Sequence, residues 1–123
     1  MKKLGVLVLL VFLVSCSKAS AASVVKVTPD KALTLLKEKG TILVDVRTEA
    51  EYKEGHIASA ILIPNETIGK KSIASLPDKN AKIIVYCRSG RRSNEAANKL
   101  IKLGYTNVFD LGGIISWPYE IVK

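Results

Sequence analysis

The stretch from Lys82 to Lys102, KIIVYCRSGRRSNEAANKLIK, joins the two clearest elements of the chain. The four residues after Lys82, IIVY, are an apolar run, and the five together have strand length, which is typical of a strand buried on both faces of a parallel sheet. From Ser93 onwards, alanine, leucine and isoleucine recur at helical spacing until Gly104, which predicts a helix that begins at Ser93. Cys87 therefore lies in a turn between a buried strand and a helix.

The rest of the chain repeats this alternation of strand and helix. Further strands are predicted for four short apolar runs, at residues 24–27, 41–46, 60–63 and 107–111. Thr28 is typical of the N-terminus of a helix. Thr48 is followed three residues later by Glu51, which is the pattern of a capping box at the start of another helix. Apolar residues at roughly helical spacing predict another helix over residues 65–76, and Pro118 restricts the last helix to a short or kinked one. The alternation predicts one α/β domain with a mainly parallel sheet.

The turn that contains Cys87 favours a negative charge. Ligands of open α/β sheets bind beyond the carboxyl ends of the strands, where backbone N–H groups and a helix N-terminus point at them. Ser93 is expected to cap the helix, and Gly90 to allow a tight turn. Nearby cations and a helix N-terminus stabilise a thiolate, so Cys87 is predicted to be the nucleophile. Guanidinium groups suit oxyanions, which predicts that an anionic substrate binds the rest of the loop: Arg88, Ser89, Gly90, Arg91, Arg92 and Ser93. A buried, inert cysteine beside a solvated basic surface is the alternative.

Residues 1–15 have the features of a secretory signal peptide. A short basic segment precedes a twelve-residue apolar run, shorter than the roughly 20 residues of a membrane-spanning helix. The run ends in Leu-Val-Ser-Cys at residues 13–16, which resembles a bacterial lipobox and implies cleavage before Cys16 and lipidation of its thiol. Secretion with cleavage near residues 19–22 is the alternative.

This division of the chain predicts a signal peptide at 1–15, a flexible tether at 16–23 and a folded domain at 24–123. The protein is expected to be exported and anchored to the membrane by lipid at the bacterial cell envelope. The domain would then face the periplasm, or the cell surface in a Gram-positive host.

Composition argues against two classes of function. The formal net charge is +8, but the lysines are scattered and no aromatic residues alternate with them, so nucleic acid is not an expected partner. The chain has a single histidine, His56, and no cluster of cysteine and histidine, so no metal site is expected. His56, Asp45 and Arg47 are expected to have structural roles, with an ion pair to Glu51 or a backbone contact for the latter two.

Motifs spread over most of residues 24–117 resemble those of the single-domain rhodaneses, which are sulfurtransferases. In chain order they are LVDVR at 43–47, EY at 51–52, GHI at 55–57, Ala60 with IP at 63–64, CRSGRRS at 87–93, LGG at 111–113 and Trp117. The resemblance implies a five-stranded parallel sheet with helices on both faces. It also implies that the loop from Cys87 to Arg92 holds the transferred sulfur.

The resemblance further implies a thiosulfate sulfurtransferase that works by double displacement. The Cys87 thiolate would take the outer sulfur of thiosulfate or a similar anionic donor, release sulfite and form a persulfide. A thiol, cyanide or a protein would then accept the sulfur. The expected enzyme is a monomer without cofactors.

Two other functions remain open. A non-enzymatic persulfide carrier, or a binding module for a partner protein, would share the chemistry of the loop. A cysteine phosphatase or arsenate reductase of the same fold would need five residues between its cysteine and arginine, whereas Arg92 comes one position too early.

Overall fold

A computed structural model describes residues 21–123 of the chain. Cys16 and the predicted signal peptide lie outside the described residues, so both remain predictions. Within the described part of the chain, no helix is both long and apolar enough to cross a membrane.

Strands and helices alternate along the chain. The strands are β1 (Val25–Lys26), β2 (Ile42–Asp45), β3 (His56–Ile57), β4 (Ile61–Leu62), β5 (Lys82–Cys87), β6 (Asn107–Gly113) and β7 (Ile121–Val122). The α-helices are α1 (Pro29–Leu36), α2 (Glu49–Glu54) and α3 (Arg91–Lys102), and two short 3-10 helices span Asn65–Thr67 and Ile114–Ser116.

Five strands form one parallel sheet in the order β1-β6-β5-β2-β4. The centre of the sheet is β5, the strand that ends at Cys87, and β1 is an edge strand. The remaining strands, β3 and β7, pair with each other antiparallel, which attaches the C-terminal segment to the turn after α2. The parallel α/β architecture predicted from the sequence is confirmed.

Helices cover both faces of the sheet, because successive side chains of a strand point to opposite faces. Ile83, Val85 and Cys87 of β5 belong to the core cluster that α3 covers with Ala96, Ala97 and Leu100. Ile84 and Tyr86 belong to the second cluster, which α1 covers with Ala32 and Leu35. Burial of each large aliphatic side chain contributes about 1.5–3 kcal/mol, so the sheet centre rigidly supports the end of β5.

The predicted caps of α1 and α2 are both present. The Thr28 side chain accepts a hydrogen bond from the Lys31 N–H at 3.2 Å. At α2, the Thr48 hydroxyl accepts from the Glu51 N–H at 3.2 Å, and Glu51 accepts from the Thr48 N–H at 3.3 Å, which completes a capping box.

The helix predicted over residues 65–76 is wrong. Only Asn65–Thr67 forms a 3-10 turn, and irregular chain follows. Ile68 and Leu76 are both buried, but Ile73 lies five positions after Ile68, which is about 140° around a helix of 3.6 residues per turn. The apolar residues therefore contact the core individually from a loop, and they do not form one face of a helix.

Candidate active site

Cys87 lies at the carboxyl end of β5, beneath the turn that leads into α3. Its relative exposure is 1%, and in the sheet register it stands opposite Gly113 of β6. The Gly90 N–H donates a hydrogen bond to the Cys87 sulfur, with a nitrogen–sulfur distance of 3.0 Å. A backbone donor at the N-terminus of a 12-residue helix thus points at the sulfur, and both features stabilise negative charge there.

The helix begins two residues earlier than predicted. α3 starts at Arg91, and the N-cap position is occupied by Gly90, whose φ of +116° is in the region that favours glycine. Ser93 is buried in the first turn of the helix, and its hydroxyl donates to the Gly90 carbonyl at 3.0 Å. The prediction that Ser93 caps α3 is wrong, because its hydroxyl holds a carbonyl of the loop instead of accepting from an orphan N–H.

The three arginines near Cys87 have different partners. Arg92 forms a bidentate pair with Glu51 of α2, with nitrogen–oxygen distances of 2.7 and 2.9 Å. Arg91 pairs with Glu95 on its own helix at 2.9 Å, and its side chain is 75% exposed. Arg88 is exposed, and no ion pair to it is found within residues 21–123.

The Arg92–Glu51 pair is strong enough to change the titration of both groups. The hydrogen bonds from Arg92 lower the pKa of Glu51 to about 2, and the hydrogen bonds from Thr48 act in the same direction. The pKa of Arg92 is raised, chiefly by its hydrogen bonds to Glu51.

Asp45 and Arg47 pair with each other and not with Glu51. The Arg47 guanidinium contacts the Asp45 carboxylate at 2.7 Å and donates to the Gly55 carbonyl at 2.7 Å. Burial disfavours the Arg47 charge, but the hydrogen bonds and the charge of Asp45 outweigh it and raise the pKa of Arg47. Both side chains are nearly inaccessible, so the pair fixes the turn after β2, as a structural role requires.

Two depressions flank the loop from Arg88 to Gly90. The larger, about 440 Å³, is lined by Arg47, Glu51, Glu54, Arg88, Ile114 and Ile115. The other, about 370 Å³, is lined in part by Ser89 and Gly90. The larger depression brings together the exposed Arg88 and the segment that follows β6, whose Ile115 N–H donates to the Arg88 carbonyl at 3.3 Å.

Sequence reasoning missed the role of Gly113. A Cβ atom at this position would lie 2.3 Å from the Arg88 carbonyl oxygen and 2.8 Å from the Ser89 Cα. Only glycine lets β6 pass this close to the loop. The signal in the sequence is the Gly112-Gly113 pair, but a glycine pair alone does not say which backbone approaches it.

His56 is outside the loop. Its Nδ1 lies 2.8 Å from the Tyr52 carbonyl oxygen, and its ring stacks on the Tyr52 ring at a centroid distance of 3.7 Å. Among residues 21–123, no three side chains of the His, Cys, Asp or Glu types come together as a metal site would need.

Comparison with known proteins identifies the family. The sequence profile described as "Rhodanese-like domain" matches residues 28–118. The chain is 38% identical over 71 residues to thiosulfate sulfurtransferase PspE of Escherichia coli (strain K12), which covers 58% of this chain and 68% of that protein. It is 31% identical over 93 residues to a tRNA uridine(34) hydroxylase of Yersinia enterocolitica, covering 72% of this chain but only 27% of that protein.

A solved structure of similar fold agrees. The "rhodanese with anions from E. coli" aligns with a TM-score of 0.63 and 35% identity, covering 68% of this chain and 98% of that one. Together with the five-stranded parallel sheet and the match over residues 28–118, this similarity means that the chain belongs to the family of rhodanese-like domains.

Proposed function

We propose that the protein is a thiosulfate sulfurtransferase that carries the transferred sulfur as a persulfide on Cys87. The observation that carries this proposal is the hydrogen bond from the Gly90 N–H to the Cys87 sulfur at the N-terminus of α3. Preorganised donors of this kind stabilise charge that develops during a reaction. The family includes sulfurtransferases, but also proteins named for other reactions, so the substrate is part of the proposal.

The reaction consists of two displacements. The Cys87 thiolate attacks the outer sulfur of thiosulfate, a sulfur–sulfur bond forms to Cys87, and the sulfur–sulfur bond of thiosulfate breaks as sulfite leaves with the electron pair. An acceptor such as cyanide then attacks the outer sulfur of the persulfide, and the Cys87 thiolate leaves. Both leaving groups are stable anions, so no general acid is required.

Arg88 is the arginine best placed to receive the donor. It lines the larger depression, and its side chain is exposed and has no ion pair in residues 21–123, whereas Arg91 and Arg92 are paired with carboxylates. A guanidinium group binds oxyanions through charge-assisted hydrogen bonds, which suits the sulfonate oxygens of thiosulfate. Ser89, Gly90 and Ser93 contribute the shape of the loop around the sulfur.

Mass spectrometry of the protein after treatment with thiosulfate tests the proposal. The peptide that contains Cys87 is expected to gain the mass of one sulfur atom and to lose it on addition of cyanide. Cys87→Ser should abolish the gain, and the matched control Cys16→Ser, which alters the other cysteine, should leave it intact. An unchanged mass in the wild-type protein would overturn the proposal.

The two alternatives predict different outcomes. A persulfide carrier would gain the sulfur but turn over thiosulfate and cyanide slowly, while transferring sulfur quickly to one partner protein. A phosphatase would hydrolyse an aryl phosphate. We expect no hydrolysis, because only four residues separate Cys87 from Arg92, one fewer than such a phosphatase needs between its cysteine and arginine.

We further propose that the protein is exported and carries lipid on Cys16, with residues 16–23 as the tether and 24–123 as the domain. The support is the order of a basic segment, an apolar run and a lipobox-like sequence that ends in Cys16. Incorporation of labelled palmitate into the wild-type protein, but not into Cys16→Ser, is the expected result. Labelling of neither protein would contradict lipidation.

A further inference from the structure

A carboxylate of α2 reaches the first turn of α3 beside the candidate nucleophile. Glu51 and Arg92 are 41 positions apart in the sequence, yet they form two hydrogen bonds of 2.7 and 2.9 Å. The side chains are 26% and 24% exposed, so the pair is shielded from solvent more than an ordinary surface pair. Bidentate geometry and partial burial are the conditions under which such a pair holds its arginine in place.

Glu51 also accepts hydrogen bonds from Thr48, the N-cap residue of its own helix. Its Oε1 accepts from the Thr48 N–H at 3.3 Å and from the Thr48 hydroxyl at 3.1 Å, as part of the capping box of α2. Its pKa of about 2 keeps the carboxylate charged at any ordinary working pH. The carboxylate is therefore a fixed negative charge, and Arg92 is restrained by it.

This arrangement distributes the charge of the loop unevenly. Arg92 lies in the first turn of α3, directly after the loop that holds Cys87, but its guanidinium is already paired with Glu51. Arg91 is paired with Glu95, whereas Arg88 lines the depression with no such partner among residues 21–123. We infer that Glu51 is a positioning residue that neutralises Arg92 and so leaves Arg88 as the principal cation that an anionic donor meets.

The consequence for catalysis rests on the proposed function. Glu51→Gln would release Arg92 and give the donor a second guanidinium, so KM for thiosulfate should fall while kcat changes less. Glutamine is a suitable replacement, because it fits the third helical position of a capping box as well as glutamate does. The variant is therefore expected to keep α2 intact.

A test that needs no sulfur transfer is the alkylation of Cys87 in the full chain. Iodoacetate is an anion and iodoacetamide is its neutral counterpart, so the ratio of their rates reports the charge at the mouth of the site. The rates are followed by mass spectrometry of the peptide that contains Cys87, which separates it from Cys16. In Glu51→Gln we expect the ratio to rise about fivefold, as one partly screened elementary charge at contact range would produce.

Two further variants test whether the release of Arg92 causes the expected rise in the ratio. Glu49→Gln removes the same charge from α2, and it should leave the ratio unchanged, because within residues 21–123 Glu49 pairs only with the exposed Lys53. Glu51→Gln combined with Arg92→Gln should return the ratio towards the wild-type value. An unchanged ratio in Glu51→Gln, an equal rise in Glu49→Gln, or a rise that persists without Arg92 would each overturn the inference.

The two proposals fail independently. If the ratio responds as expected but no persulfide forms with thiosulfate, the proposed function is wrong and the role of Glu51 stands. If the persulfide forms and the ratio does not respond, the function stands and the role of Glu51 is wrong.

Discussion

Replacing Gly113 with alanine is expected to displace the loop that holds Cys87. The backbone of Gly113 has φ −105°, which any residue adopts, so alanine meets no conformational strain there. The obstacle is steric, because the added Cβ would lie 2.3 Å from the Arg88 carbonyl oxygen and 2.8 Å from the Ser89 Cα. Both of these atoms are backbone, and neither can rotate away.

The size of the displacement follows from the contact. Ordinary van der Waals contact begins near 3.4 Å, so the loop must move by about 1 Å relative to β6. Overpacking of this kind costs about 1–3 kcal/mol of the free energy of unfolding. The Gly90 N–H, now 3.0 Å from the Cys87 sulfur, would move with the loop. A misplacement of about 1 Å at a reacting centre lowers a rate by about 100-fold.

Single-turnover release of sulfite from thiosulfate measures the rate, and urea denaturation measures the stability. Gly112→Ala is the matched control, because its added Cβ would have no atom within 4 Å. The φ of Gly112 is +86°, so this substitution strains the backbone without a steric clash. It should lose about 1 kcal/mol of stability through backbone strain and retain its rate. A Gly113→Ala protein that releases sulfite at the wild-type rate would refute the reasoning.

Three further variants test the charges around the loop. Arg88→Ala should raise KM for thiosulfate about tenfold or more in a steady-state assay, through the lost charge-assisted contact, and an unchanged KM would exclude Arg88 as the donor cation. Asp45→Asn should lower the free energy of unfolding by about 3 kcal/mol in urea, because it leaves the Arg47 charge buried without its partner, and a loss below 1 kcal/mol would contradict this. The pKa of Glu51 is depressed from 4.5 to about 2, so its stabilising contribution is complete above about pH 4.5 and is lost as the pH falls towards 2. Glu51→Gln should therefore show a shallower decline of thermal stability over this range, and an identical decline would argue against the pair.

The sequence by itself determined the parallel α/β architecture, two helix caps and the position of Cys87 at the end of a buried strand. These features depend on neighbouring residues. An apolar run of strand length specifies burial, and a threonine three residues before a glutamate specifies a helix start at Thr48. The error of two residues at the start of α3 is also local, because a glycine with positive φ at Gly90 takes the place of a side-chain cap.

Only the tertiary structure decided which carboxylates pair with the arginines near Cys87 and which backbone segment packs against its loop. The sequence places three arginines near the cysteine, but the partner of Arg92 is 41 positions away on another helix. The close approach of Gly113 to the loop likewise depends on the pairing of β6 with β5. Such contacts join residues that are distant in the chain. A local sequence pattern does not indicate which of several glutamates will pair with a given arginine, because that depends on how the helices and strands pack.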